Sequence, residues 1–324
     1  AIGNQYFRYF DVKQAEAITL GGQLSIRWVE RDVNRFMNKL LGTDNKNYVV
    51  ASDTDSIYLK LDTLVEKVCK GKSTKQIVEF LNKAAEDKIQ KVIDDSYQNL
   101  AHYVNAYQQK MIMKREAIAN KGIWVAKKRY MMNVFDEEGV QYDIPKLKIM
   151  GVEAVKSSTP EVCRGKIKDA IRVIMNDSED ALIKFVNDFK EVFKTLSPEE
   201  VAFPRSCNNV NRYVDSNSIY KKGTPIHVKG ALIYNHNINK HRLSAKYPII
   251  KDGDKIKFLM LKQPNTVKDT VISFSTKIPY EFDLHKYVDY DTQFEKTFTD
   301  PLKFILDSIG WKLEREATLE AFFG

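Results

Sequence analysis

The sequence predicts an α+β fold, and three observations carry that prediction. A helical apolar stripe runs through Trp28, Val29, Val33, Phe36, Met37 and Leu40. Two apolar runs, Tyr48 to Ala51 and Ile57 to Leu61, flank a polar centre and read as a β-hairpin. After Gly151, helix-start signals dominate and strand-like runs are short.

The elements follow in order. Asp11 and Gln14 form a capping-box pattern ahead of the first helix, and Gly42 ends it. After the hairpin, 74 to 109 reads as helix, broken near Asp94 and Asp95. Lys110 to Ile118 and Trp124 to Val134 read as strands joined by an Asn120-Lys121-Gly122 turn. Asp136 to Gly139 turns the chain again, and Lys146 to Met150 adds a short strand. Residues 1 to 151 are therefore helices with a mostly antiparallel sheet. Thr159-Pro160-Glu161 predicts a hydroxyl cap and a Pro at the first helical position. Helices are expected at 160 to 175 and 178 to 195, then near 290 to 298 and 301 to 309. Strands are expected at Ile226 to Tyr234 and, after an Asp252-Gly253 turn, at Lys255 to Leu261.

Composition narrows the function. The chain has 324 residues, 43% hydrophobic and 29% charged, enough for two domains or one large one with a real core. No run of about 18 apolar residues is present, so no transmembrane helix and no membrane partner are expected. The start has neither an initiator Met nor a signal-like apolar stretch, and reads as a cut within a larger protein. A net charge of +8 points to a polyanionic partner, nucleic acid first. Cys69, Cys163 and Cys207 fit no disulfide framework or zinc site, which suggests a reducing compartment. The five histidines form no ligand cluster.

Chemistry concentrates at the hairpin tip, Ser52-Asp53-Thr54-Asp55-Ser56. On a strand, residues two apart share a face, so Asp53 and Asp55 could address one hard divalent cation. Asp-Thr-Asp-Ser is also ordinary turn chemistry, and spacing alone favours that reading. The apolar flanks shift the balance, because a buried hairpin that pushes two acids out of a core needs a compensating ligand. Glu116 is a third acid, either salt-bridged to Lys114 or Arg115 or joining the same metal site.

Beyond general chemistry, Asp53-Thr54-Asp55-Ser56-Ile57-Tyr58 resembles the third conserved motif of family-B DNA polymerases. Met113 to Ala119 is similar to the segment that follows that motif. Lys127-Lys128-Arg129-Tyr130 resembles the basic-aromatic motif that holds primer–template. Lys146 to Gly151, Glu153 and Lys156 to Pro160 resemble the palm-to-thumb junction. Gly3-Asn4, Phe7-Arg8-Tyr9 and Asp11 resemble the stretch after the fingers helix. The motifs occur in family order, and the resemblance, strongest to replicative polymerases of T-even-like bacteriophages, runs over the whole chain. Ala51 and Ser52 stand where the family has an aromatic and a glycine.

The resemblance implies a palm portion at 1–151 with the end of the fingers at 1–4, then a mainly helical thumb with short strands at 152–316. It implies that Asp55, with Asp53 and Glu116 in support, holds two magnesium ions shared with a missing N-terminal aspartate. The 3′-hydroxyl of a primer would attack the α-phosphate of a dNTP and release pyrophosphate. Lys128 and Tyr130 would touch the primer end, with Lys127, Arg129, Lys148 and Lys156 on phosphates. A solvated charge run is the alternative for Lys127 to Arg129, but interleaved Trp124 and Tyr130 favour DNA. The tail at 317–324, through Leu319, Phe322 and Phe323, resembles a sliding-clamp-binding peptide; packing on its own thumb is the alternative.

The first catalytic aspartate, the fingers lysine and the exonuclease would all belong to an N-terminal portion, so no nucleotide incorporation by this chain alone is expected. The setting would be the cytoplasm of a bacterial host. A non-catalytic module that grips duplex DNA and recruits the clamp is the second reading. A two-metal nuclease would need more clustered carboxylates or histidines than the sequence offers.

Overall fold

The computed structural model describes residues 1–152, 156–215 and 218–313. The fold is α+β. The chain divides into two compact units, Ala1–Gly122 with Met132–Lys148, and Ile123–Met131 with Ile149–Gly324. Among the described residues, no helix is long and apolar enough to cross a membrane.

In the first unit, helix α1 (Val12–Leu41) starts where the Asp11 carboxylate accepts the Gln14 N–H, and stops at Gly42 with φ +63°. Strands β1 (Val49–Asp53) and β2 (Ser56–Leu59) form an antiparallel hairpin. Helix α2 (Asp62–Val68), which the sequence reading missed, follows. Helices α3 (Thr74–Ala84) and α4 (Gln90–Tyr103) are joined by a π turn at Ala85–Ile89. The helical irregularity thus lies earlier than expected, and Asp94 and Asp95 stay inside α4, with Asp94 accepting from Gln90 one turn back. Val29, Val33, Met37 and Leu41 of α1, Ile93, Tyr97 and Leu100 of α4, and Tyr48 and Val49 of β1 share one core.

Strands β3 (Ala117–Ala126), β4 (Arg129–Glu137) and β5 (Val140–Met150) make a sheet in that order. This corrects two expectations. Lys110 to Glu116 is not strand, because side chains hold it instead of a neighbouring ladder. Gln90 donates to the Met113 carbonyl at 2.8 Å, and Arg115 bonds both Asn82 and the buried Asp136. Asn120-Lys121-Gly122 lies within β3, and the turn is Lys127-Lys128, with Lys128 at φ +61°. The turn at Glu138-Gly139 is where it was expected, with φ +52° and +92°.

In the second unit, α5 (Glu161–Asn176) and α6 (Glu179–Thr195) match the expected helices. Pro160 occupies the cap position itself, without a hydroxyl cap from Thr159. After the short α7 (Pro198–Val201) comes a sheet of β6 (Phe203–Cys207), β7 (Asp254–Met260) and β8 (Val271–Phe274). Ile226–Lys240 is helix α8, not the expected strand. Its run Gly230 to Tyr234 is buried all round, so the sequence shows no amphipathic period there. Gly230 lets α8 lie on β8, since a Cβ there would sit 2.8 Å from the Ser273 nitrogen. Helices α9 (Tyr290–Phe294) and α10 (Asp300–Asp307), joined by a π turn at Glu295–Thr299, end the described fold. Phe189 and Phe193 of α6 pack edge-on against Phe294 and Phe298.

Candidate active site and nucleic-acid interface

Two side chains of α1 fix the acidic hairpin at its base. Asn34 Oδ1 accepts the N–H groups of Tyr48 (2.8 Å) and Val49 (3.1 Å), and Asn34 Nδ2 donates to Asn47. Asn38 accepts the Lys46 N–H and donates to the Lys46 carbonyl. Sequence reasoning missed both asparagines. Their only signal is their polarity beside Val33 and Met37 on a core-facing helix. Asn34→Ala would leave two half-buried N–H donors unsatisfied and is expected to cost about 2–3 kcal/mol, read as a lower urea midpoint for this chain.

At the far end of the hairpin, Asp53 pairs with Ser56, so Thr54 and Asp55 form the turn. Asp55 is therefore not on a strand two places from Asp53, as the spacing argument supposed. The Asp55 N–H donates to the Asp53 carbonyl at 2.6 Å around Thr54 at φ +54°. This γ-type turn strains a β-branched residue by about 1–3 kcal/mol. Thr54 Oγ1 donates to Asp53 Oδ1 at 3.0 Å, and Ser56 Oγ donates to the Asp53 carbonyl. Asp53 is half-buried and Asp55 is exposed. Beneath them, burial and then the Asp55 carboxylate push the Tyr97 phenol above its usual range. Tyr97, on α4, is a neighbour of the acidic turn that the sequence did not reveal.

Glu116 is exposed, and its carboxylate receives the Lys148 ammonium at 2.5 Å. Its backbone carbonyl accepts the Glu138 N–H at 2.7 Å. Burial opposes the charge on Lys148, yet the hydrogen bond to Glu116 and the fields of Glu116, Glu137 and Tyr58 outweigh it and raise its pKa. The structure thus joins an expected metal ligand to an expected phosphate contact. Among the described residues, no three His, Cys, Asp or Glu side chains gather closely enough to hold a metal ion.

In the second unit, Lys127 and Lys128 are exposed at the β3–β4 turn. Arg129 is half-buried, its guanidinium 5.4 Å from the Phe304 ring centroid. Tyr130 is buried and stacks with Trp124 at 6.0 Å, so it supports the turn from below. Gly151, at φ +67°, packs on this turn: a Cβ there would lie 2.3 Å from the Lys128 carbonyl oxygen. Lys156 is half-buried, and its carbonyl accepts the Thr159 N–H. Leu319, Phe322 and Phe323 lie outside the described residues.

With the acidic turn and the basic turn so placed, the chain is similar from end to end to DNA-directed DNA polymerases. No family model matches it. It is 34% identical to the DNA-directed DNA polymerase of Enterobacteria phage T4 and 36% identical to that of Escherichia phage RB69, in both cases over 100% of this chain. The chain spans 37% of the length of each of these relatives, and what it matches is their C-terminal part.

Proposed function

We propose that this chain is the C-terminal portion of a DNA-dependent DNA polymerase. It would comprise the second half of the palm at 1–151, a thumb at 152–316 and a clamp-docking tail at 317–324. The observation that carries the reading is the placement of Asp55. It is exposed at a strained tip whose base is pinned to a buried core, in a chain similar throughout to two polymerases.

The donor chemistry suits a hard divalent ion such as Mg2+: Asp53 at the end of β1 and Asp55 in the turn beyond Thr54 offer carboxylate oxygens, with Glu116, held by Lys148 in this structure, as the expected third acid. On this reading the remaining ligand to the two ions comes from an aspartate of an N-terminal portion. When bound, such ions neutralise phosphate charge and lower the pKa of an attacking hydroxyl. In the reaction, the primer O3′ forms a bond to the α-phosphorus of a dNTP, the bond to the bridging oxygen breaks, and pyrophosphate leaves with the β- and γ-phosphates.

This chain's part is to orient those groups and hold the duplex. The hairpin that carries Asp53 and Asp55 packs on α1 and α4 through Tyr48, Val49, Ile57 and Leu59. Lys127 and Arg129 meet phosphates, and Lys128 tests the minor groove, where every base pair presents acceptors. Tyr130 acts by holding the turn through Trp124. The partners are primer–template DNA, a dNTP, a sliding clamp, and an N-terminal portion with the exonuclease, first palm motif and fingers.

The test is primer extension with Mg2+. The chain alone should incorporate no nucleotide, and mixing or fusing it with an N-terminal portion should restore synthesis. If duplex binding and clamp recruitment occur while no mixture extends a primer, the non-catalytic DNA-binding module replaces this reading. Lys127→Ala should lower the slope of log affinity against log salt by about one, as expected for one lost phosphate contact, measured by fluorescence anisotropy on a primer–template.

A further inference from the structure

Charged side chains at one end of the β3–β4–β5 sheet are joined in a row. Glu116 stands immediately before β3, and Lys148 lies near the end of β5, on the other outer strand. Their side chains meet across the end of β4, with Lys148 Nζ 2.5 Å from Glu116 Oε1. Glu137, the last residue of β4, sits between two lysines: its Oε1 is 3.7 Å from Lys148 Nζ, and its Oε2 is 2.5 Å from Lys146 Nζ. Acid and base therefore alternate as Glu116, Lys148, Glu137, Lys146. The backbone fixes the Glu116 end. Its carbonyl accepts the Glu138 N–H at 2.7 Å, and the neighbouring Arg115 bonds the buried Asp136. Asp136 and Glu137 are consecutive on β4 and point to opposite faces, so residues 115 and 116 hold that strand end from both sides.

This arrangement sets Lys148 apart from the basic turn. Lys127 and Lys128 are exposed, whereas the Lys148 side chain is only 22% exposed and its ammonium already faces carboxylates at 2.5 and 3.7 Å. Turning to a phosphate would strand both acids beside the nucleic acid, where like charge opposes binding. A lysine paired in this way acts on its acid. It confines the exposed Glu116 side chain to one position and favours its ionised form. The place matters as well. Lys148 lies within electrostatic reach of the Tyr58 phenol, on the strand that leaves the acidic turn.

We propose that Lys148 is a positioning residue of the polymerase site: it holds the Glu116 carboxylate in place for the ions that assist nucleotidyl transfer, and makes no phosphate contact. On the polymerase reading, from which this role follows, Lys148 moves from the duplex grip to the metal site.

Two measurements separate those tasks. The first is the affinity of this chain for a primer–template against salt, by fluorescence anisotropy. Lys148→Met should keep the wild-type slope of log affinity against log salt, where a lost phosphate contact would lower it by about one. The second is single-turnover extension by the polymerase reassembled with an N-terminal portion, at saturating dNTP and varied Mg2+. Lys148→Met should lower the maximal rate about tenfold or more and raise the Mg2+ concentration needed for half of it, as expected when the partner of a metal-site acid is lost. Lys148→Arg keeps the charge and a donor, and should restore most of the rate. Glu116→Gln should cost about as much as Lys148→Met, and the double variant no more than either alone, because the two residues act as one unit. A slope lowered by about one in Lys148→Met, an unchanged Mg2+ requirement, or losses that multiply in the double variant would each overturn the proposal. Should Lys148→Met fail to fold, Glu116→Gln gives the same readout from the exposed side of the pair: a raised Mg2+ requirement supports the role and a wild-type one removes it. If the wild-type portions extend no primer in any mixture, the polymerase reading fails, and the salt slope still decides whether Lys148 meets phosphate.

Discussion

Replacing Asp55 with alanine should lower primer extension by the proposed reassembled polymerase about a thousandfold, while the free chain melts as before. The size follows from the proposed role. A carboxylate that holds a catalytic cation supports several kcal/mol of charge stabilisation, and a loss of about 4 kcal/mol is close to a thousandfold in rate. The absence of a folding effect follows from position. Asp55 is exposed in a two-residue turn, outside the buried core. Surface substitutions of this kind change stability by about 0.5 kcal/mol or less. Asp55→Asn keeps the shape and removes the charge, and should lose nearly as much activity. Asp53→Ala should lose less, because Asp53 is half-buried at the strand end, where its carboxylate also accepts from Thr54. Duplex affinity should survive all three substitutions. Single-turnover extension beside anisotropy separates the two quantities, and wild-type rates in Asp55→Ala would remove the acidic turn from the chemistry.

Legibility varied with the kind of signal. The start and stop of α1 were readable because capping is local: Asp11 bonds a donor three residues on, and Gly42 takes a left-handed φ. The hairpin was readable because β-branched runs surround a polar tip. The place of Asp55 within it was not, because one residue of register decides whether an acid lies on a strand or in a turn. The β3–β4 turn was misplaced for a related reason. Asn120-Lys121-Gly122 carries strong turn chemistry, yet it lies in an exposed stretch of β3 where polar residues and a glycine are tolerated. Lys127-Lys128 carries no such signal and is fixed by packing. Burial on all sides hid α8, and Asn34, Asn38 and Tyr97 act on the hairpin across 8 or more positions of sequence, which no local pattern reports.

That packing makes Gly151 the most sensitive position near the basic turn. Gly151→Ala brings two independent penalties. At φ +67° an L side chain costs about 1–2 kcal/mol relative to glycine. The new Cβ would stand 2.3 Å from the Lys128 carbonyl oxygen and 3.1 Å from Arg129 Cγ, so backbone has to move, which adds about 1–3 kcal/mol. A total near 3 kcal/mol should appear as a lower urea midpoint. Gly139→Ala isolates the first penalty, because φ there is +92° and its Cβ would meet nothing within 4 Å. It should cost only the conformational part and leave DNA binding alone. In Gly151→Ala the displaced carbonyl carries the Lys127-Lys128 turn with it, so primer–template affinity should fall at least tenfold under conditions where the chain is still folded. Equal stability losses at the two glycines, or an unchanged duplex affinity in Gly151→Ala, would show that this contact does not set the position of the lysines.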